Sequence, residues 1–449
     1  MRKLQLFLFW ILMFLVYQLT KLVIVLDRKF KFKLKFPRDI DQLKHQKDWC
    51  IETLIENGAL PQLIEVVDFQ VKQLKQDVVF RSDTALVTID YKQDGLKHQF
   101  RCIAKFAPTL GSVASRTIFN LQQNHIKEVS FYKHLADNII GDKVAPKVYF
   151  KEADKGTGNM CLLMEYMEDY KEFDEIEGCP EDIIPTVITH LGQMHASFWK
   201  VKDKEVEGVV VIPKIVSDLL ESTQWFKWSK SAIGVFRKCW ERNNEDQTVI
   251  HGDARVGNYL FHKEDPKQLV FIDWQGCRLS KSSVDLAYFI ILSIQKPLRI
   301  EHEEKMLKLY YDTLISNGVE NYSEATFRNE YNDACIMVLT MLAMPGLSGE
   351  GNYDTKSDSV MFFVFGYYYW HDRLKAKMDA FDYDWMAQYY DLSKEESKRV
   401  ITELLDAYSS NFMNIFESMF VSKEQADHKF NELHDKLKGH YKSKGVSIS

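Results

Sequence analysis

Residues 249–261 read VIHGDARVGNYLF, which sets a histidine, a glycine, an aspartate, an arginine and an asparagine within eight positions between two apolar runs. At this spacing Asp253 and Asn258 fit one tight loop, the carboxylate facing an attacking hydroxyl and the amide oxygen facing a metal. Downstream, FIDWQ places Asp273 at the end of a buried apolar strand, where a lone carboxylate is costly unless it meets a cation. Mg²⁺ bound to phosphates is the cation that suits this geometry. A base beside a hydroxyl and a second carboxylate on a metal are the parts phosphoryl transfer requires, because that reaction is mainly positioning and charge neutralisation.

Upstream, RCIAKFA puts Lys105 in a strand with alternating neighbours, and Glu128 lies in the helical pattern that follows. A strand lysine held by a helix glutamate would reach nucleotide phosphates. Taken singly each is a commonplace, since such residues usually line solvated faces or make surface pairs. Their order ahead of the Asp253–Asn258 loop is what raises them.

The elements that must position these groups follow from periodicity. From Asp41 to about Gln76 the apolar residues fall at helical spacing, broken by NGALP, which predicts two short helices. DVVF, ALVTIDY and QFRCIAKFA predict a three-strand meander. RTIFNLQQNHIKEVSFYKHLADNI predicts one helix, and KVYFKE with MCLLMEYM a hairpin. After Asp169 the pattern is mainly helical, beginning with EDIIPTVITHLGQMHASFWK and interrupted by two short apolar strands in TVIH and LVFIDW. Near the end, Leu404, Tyr408, Phe412, Ile415 and Met419 share one helix face, followed by a basic amphipathic stretch. A small sheet with one helix, then a large helical lobe, leaves a cleft of the kind where nucleotides bind.

The order Lys105, Glu128, LLMEYM, LGQMHASFW, HGDARVGN, IDWQ and DLAYF resembles the kinase-like small-molecule phosphotransferases: aminoglycoside phosphotransferases, choline kinases and, most closely, the ecdysteroid kinase-like (CHK kinase-like) family. The motifs cover roughly residues 60 to 300. The resemblance implies an α+β, bilobal protein-kinase-like fold: a small antiparallel-sheet N-lobe with one helix, and a large, mainly helical C-lobe. It implies ATP and Mg as cofactors, Asp253 as catalytic base, and Asn258 and Asp273 as magnesium ligands. Lys105 would contact phosphate oxygens, oriented by Glu128; backbone groups of Glu165 and Met167 would meet adenine, with Met164 at the back of its pocket. Arg255 stands where protein kinases carry a lysine two positions after the base, a place from which it would stabilise the transferring phosphoryl group. His251 and Asp285 read as scaffolding of the loop, and His195 as a core residue. The resemblance departs at the nucleotide loop, where VVFRSDTALVTIDY has no glycine and Ser82 and Thr84 would substitute with hydroxyls and amides.

The two ends and the composition complete the expectation. Residues 4–26 are nearly all apolar and would span about 34 Å as a helix against a bilayer core of roughly 30 Å, which predicts an N-terminal membrane anchor over 1–27. The basic stretch DRKFKFKLKFPR after it places the body in the cytosol; a cleaved signal peptide, with the body secreted or in the ER lumen, is the competing reading. The expected division is then 28–60 as a basic linker and helix, 61–168 as the nucleotide-binding N-lobe and 169–449 as the C-lobe with the acceptor site. A net charge of −6 offers no basic field for nucleic acid, and seven scattered cysteines without a C-x-x-C pair read as reduced packing residues. The acceptor would be a small-molecule hydroxyl. The aromatic stretch VMFFVFGYYYW and the anchor fit a lipophilic, sterol-like alcohol, whereas the acidic DYKEFDEIEG and the HEE at 302 would suit a cationic one. The alternative function is a membrane-tethered pseudokinase or nucleotide-binding scaffold without turnover. A protein kinase is disfavoured by HGD in place of HRD and by the short interval from Asp273 to DLAYF.

Overall fold

The computed structural model describes residues 18–19, 22, 35–74, 82–108, 123–141, 144–201, 228–241, 246–343, 358–418 and 422–443. Two helices, α1 (Ile40–Lys44) and α2 (Lys47–Glu56), lead into β1 (Glu65–Gln73), β2 (Asp83–Gln93) and β3 (Leu96–Phe106). The β2–β3 turn is Asp94-Gly95, both at positive φ (52° and 79°), the backbone that a two-residue hairpin loop requires. A helix, α3 (Asn124–Ser130), continues through a π-helical turn at Phe131–Leu135 and a 3-10 turn at Ala136–Asn138. The hairpin of β4 (Val148–Asp154) and β5 (Asn159–Glu165) completes an antiparallel sheet in the order β1-β2-β3-β5-β4.

Two expectations need correction here. Residues 65–73 form a strand, not a helix. A bulge between Val66 and Asp68 puts an extra residue into β1, so the core-packed Val66 and Phe69 fall three apart and imitate helical spacing. The single helix expected over 116–139 is, in its described part, a short helix that ends in two irregular turns. DVVF at 77–80 lies outside the described residues, as does almost all of the N-terminal apolar run. Among the described residues no helix is long and apolar enough to cross a membrane.

The remaining chain is mostly helical: α4 (Ile184–Ser197), α5 (Lys230–Glu241), α6 (Ser283–Ser293), α7 (Lys296–Ser316), α8 (Glu324–Ala343), α9 (Asp358–Asp379), α10 (Tyr383–Tyr390), α11 (Lys394–Ser418) and α12 (Lys423–Ser443). The fold is therefore α+β, an antiparallel sheet with one helix joined to a helical body. Every residue of α6 is buried, so this helix is the axis of the body. The two short strands expected in TVIH and LVFIDW are present as β7 (Thr248–Ile250) and β9 (Leu269–Phe271), but each has its own partner. β7 pairs with β10 (Arg278–Ser280), whereas β9 pairs with β8 (Tyr259–His262), which also carries β6 (Tyr170–Lys171). Strands of two to four residues leave too little alternation to be read from sequence. These two small ladders bracket the loops 251–258 and 272–277.

Two cores form. One lies between the outer face of the sheet and residues 36–60: Leu43, Cys50 and Leu54 pack on Val87, Ile89, Cys102 and Leu163. Trp49 sets its edge on Phe150 at 5.1 Å and donates from Nε1 to the Lys35 carbonyl (3.0 Å). The larger core joins Met160, Leu162 and Met164 of β5 and Val129 of α3 to the helical body. All seven cysteines are buried and none is in a disulfide.

Candidate active site

The loop after β7 is held from behind by a carboxylate. Asp285, at the start of α6, accepts from the His251 N–H (2.6 Å) and the Gly252 N–H (2.9 Å). His195 of α4 adds Nε2 at 3.2 Å to the same carboxylate and places Nδ1 2.6 Å from the Tyr310 hydroxyl. Burial pushes the Asp285 carboxyl up, but the His195 hydrogen bond and charge, with His251 and the Gly252 N–H, hold it below the usual carboxylate value. His251 donates from Nε2 to the Ile272 carbonyl (2.9 Å), so its Nδ1 accepts from the Asp253 N–H (3.3 Å). Gly252 has φ +81°, and a Cβ there would overlap the Gly276 carbonyl oxygen, so only glycine fits.

Asp253 follows this brace, its side chain partly exposed. Asn258 Nδ2 donates to the Asp253 carbonyl oxygen and to Oδ2, both at 2.8 Å; with its NH₂ so engaged, the amide presents Oδ1 as its remaining polar atom. Burial raises the Asp253 carboxyl above its ordinary value and the charge of Asp273 adds to this, while His251 and hydrogen bonds from Asn258 and Tyr288 oppose it. Arg255 Nε lies 3.2 Å from Asp253 Oδ1, its Nη1 forms an ion pair with Glu175, and its guanidinium carbon sits 5.6 Å from the centre of the Trp370 ring. Gly257 leaves room for that glutamate, whose Oε1 a Cβ would meet. Glu175, Tyr288 and Trp370 are neighbours that the sequence reading did not single out. Tyr288 stands in the DLAYF motif and Trp370 ends the aromatic stretch, but Glu175 sits in an acidic run with no mark to separate it from solvated carboxylates.

The third group joins the sheet to the loop. Lys105 Nζ on β3 is 2.7 Å from Glu128 Oε1 on α3 and 2.8 Å from Asp273 Oδ1. Burial would lower the lysine's pKa, but the two carboxylates outweigh it and raise it. Glu128, fully buried, is raised by burial and by Asp273 against the pull of Lys105. Asp273 takes a left-handed backbone, φ 65° and ψ 61°, a strained conformation for a non-glycine residue that persists only where the surroundings impose it. The Ile272 N–H donates to the Asn258 carbonyl (2.9 Å), so Asn258 and Asp273 stand on adjacent segments.

The expected nucleotide contacts lie on adjoining strands. Ile103 of β3 pairs with Met164 and Cys102 with Glu165. The Glu165 N–H donates to the Lys147 carbonyl (2.8 Å), and Met167 accepts at its carbonyl from the Tyr170 N–H (3.1 Å). Ser82 is buried and accepts at Oγ from Gln275 Nε2 (2.5 Å), which ties the start of β2 to the segment just after Asp273. Among the described residues no group of three histidines, cysteines or acids is placed to hold a metal. The donors present are one carboxylate and one amide oxygen, a hard oxygen set of the size that suits Mg²⁺ shared with phosphates and water.

The model of the ecdysteroid kinase-like family matches residues 210–319. A second, described as uncharacterized oxidoreductase dhs-27, matches residues 113–248. Comparison with the curated proteins gives no match. Among solved structures, an ethanolamine kinase of Plasmodium vivax is 12% identical over 87% of this chain and 94% of its own, with a TM-score of 0.41. Amicoumacin kinase hAmiN, in complex with AMP-PNP, Ca²⁺ and Ami, is 12% identical over 82% and 96%, TM-score 0.39. The GDP complex of wild-type aminoglycoside 2'-phosphotransferase-IIIa is 14% identical over 80% and 99%, also at 0.39. Likeness of that degree carries no part of the argument. Every described strand pair is antiparallel, unlike the parallel sheet on which dinucleotides bind. The ecdysteroid kinase-like match lies on residues 210–319, the part of the chain that holds HGDARVGN, IDWQ and DLAYF.

Proposed function

We propose that this protein is an ATP- and Mg²⁺-dependent phosphotransferase that moves the γ-phosphate to a hydroxyl of a small molecule. The observation that supports it is the meeting of Lys105, Glu128 and Asp273 beside the Asp253–Asn258 pair. Magnesium with the triphosphate would supply an electrophilic phosphorus with neutralised oxygens. Asn258 and Asp273 would hold the metal, Lys105 the phosphate oxygens, and the Glu165–Met167 backbone with Met164 the base. Ser82, engaged by Gln275, would fix the edge of the nucleotide loop. Asp253 would accept the acceptor's hydroxyl proton at Oδ1 or Oδ2. Arg255, steered by Glu175, would face the charge that develops on the transferred group.

For the acceptor we favour a lipophilic alcohol over a cation. Four of the acidic groups in those stretches already have partners: Glu175 pairs with Arg255, Asp174 caps the Ile176 N–H, Glu303 meets Lys377, and Glu304 meets Arg328. The apolar run at 4–26 would bring the protein to the membrane where such alcohols concentrate.

Thermal-shift titration with ATP is the test. The expected result is a Mg²⁺-dependent rise in Tm that shrinks in Asp273→Ala and survives in Asp253→Ala, with the second variant losing about 10²–10⁴-fold in turnover. Turnover would be followed by mass spectrometry of metabolite extracts gaining one phosphate. Nucleotide binding without any phosphorylated product would leave the scaffold reading; retained activity in Asp253→Ala would remove the base assignment.

A further inference from the structure

A buried guanidinium must find acceptors. Arg373 of α9 is 3% exposed, and it finds them on two separate segments. Its Nη1 donates to the carbonyl of Glu175 (3.1 Å) and to that of Leu292, and its Nη2 to the carbonyl of Ile176 (2.7 Å). Leu292 lies in the last turn of α6, where carbonyls without a helical partner and the negative end of the helix dipole favour a cation. Burial, followed by the charge of Arg299, brings the guanidinium down to about 10, so it stays charged at neutral pH. The other segment is shaped to meet it. Asp174 Oδ1 accepts from the N–H groups of Ile176 (2.8 Å) and Glu177 (3.2 Å), an Asx turn whose carbonyls serve other donors. Gln295 Nε2, just past α6, takes the carbonyls of Ile176 (2.6 Å) and Glu177 (2.9 Å), and the Cys179 N–H donates to the Ser293 carbonyl (2.7 Å).

Two lines run from this knot to the catalytic loop. Ser293 Oγ accepts from the Val256 N–H (2.9 Å), and the Glu175 carboxylate forms the ion pair with Arg255. The same helix also touches Arg255 directly, since Trp370, about one turn before Arg373, sets its ring centre 5.6 Å from the guanidinium carbon. We propose that Arg373 is a positioning residue of the site: it pins residues 174–179 to the end of α6, so that Glu175 holds the Arg255 guanidinium in one orientation. A carboxylate on a loose turn would leave that long side chain its rotamer freedom. Arginine can make the clamp where lysine cannot, because its planar fork spans carbonyls on two segments, whereas an ammonium is a single point on a flexible stem. The catalytic use of the orientation rests on the phosphotransfer proposed above; the coupling of α9 to residues 253–258 stands apart from it.

Hydrogen exchange of the full chain, read by mass spectrometry without any ligand, tests the coupling. Arg373→Lys keeps the buried charge but should speed exchange at residues 176–179 and 253–258 together, with the β2–β3 hairpin unchanged; Glu175→Gln should speed it at 253–258 alone. Hydrolysis of Mg·ATP, with water in place of the acceptor, reads the chemistry. In Arg373→Lys kcat should fall about 10- to 100-fold with KM for ATP unchanged, and the same substitution should cost nothing further in a Glu175→Gln background. A merely structural arginine would loosen the helical body evenly and add its own loss of kcat to that of Glu175→Gln, which overturns the inference. So does an Arg373→Lys protein whose residues 253–258 exchange as in wild type, or a Glu175→Gln protein that leaves them unchanged, which would put the link in Ser293. If wild type neither binds nor hydrolyses ATP, the proposed function fails, while exchange at 253–258 still decides the coupling.

Discussion

Asp253 is a carboxyl that burial and the charge of Asp273 hold above its ordinary value, and this has opposite consequences for activity and stability. A general base works only ionised, so kcat/KM should fall as pH drops through the raised pKa of Asp253, at a pH higher than an exposed aspartate would give. Tyr288 donates to the ionised form, so Tyr288→Phe should move that acid limb further up in a pH–rate profile; an unmoved limb would take Asp253 out of the base role. For folding, a native pKa raised above the unfolded one makes ionisation unfavourable, so the penalty grows as pH rises through the unfolded value near 3.9 and is complete above the native one. Asp253→Asn should therefore melt higher than wild type at neutral pH while losing turnover. Lys105, Glu128, Asp253, Asn258 and Asp273 could be singled out as candidates in the sequence because charged and amide side chains stand there among apolar ones. Glu175 was not, since its role comes from a loop folded back on Arg255 and from the space left by Gly257.

At the scale of elements, the legible ones were those with a regular period and a marked end. The β2–β3 hairpin is announced by Asp94-Gly95, and β4–β5 by the loop ADKGTG. β1 was hidden by its bulge, and β8 and β10 by their shortness. The helix α2 was foreseen, but not where it goes. It covers the sheet with Leu54, which is fully buried against that face. Leu54→Ala should cost about 2–5 kcal/mol through the cavity it leaves, measured by chemical denaturation. A loss below about 1 kcal/mol would show that the helix contributes little to holding the sheet.

For the whole molecule, the sequence supplied the α+β class and the order of sheet before helices, because the change of period near Asp169 is sharp. How the C-terminal helices wrap α6 was not legible, since periodicity shows which face is apolar and not what covers it. The membrane expectation belongs to this scale as well. Deleting residues 1–27 should move the protein from the alkaline-carbonate-resistant membrane fraction into the soluble one with its ATP response intact; an unchanged distribution would argue against an anchor there.

The small core between residues 36–60 and the sheet also bears on where the chain can be shortened. Catalytic motifs alone would place a convenient start near Leu60, yet a protein begun there would bare Val87, Ile89 and Leu163 to water as one continuous greasy wall. Such a wall invites aggregation. The first two helices thus serve as a built-in solubility shield, and the shortest well-behaved version of this protein should begin at or before Lys35.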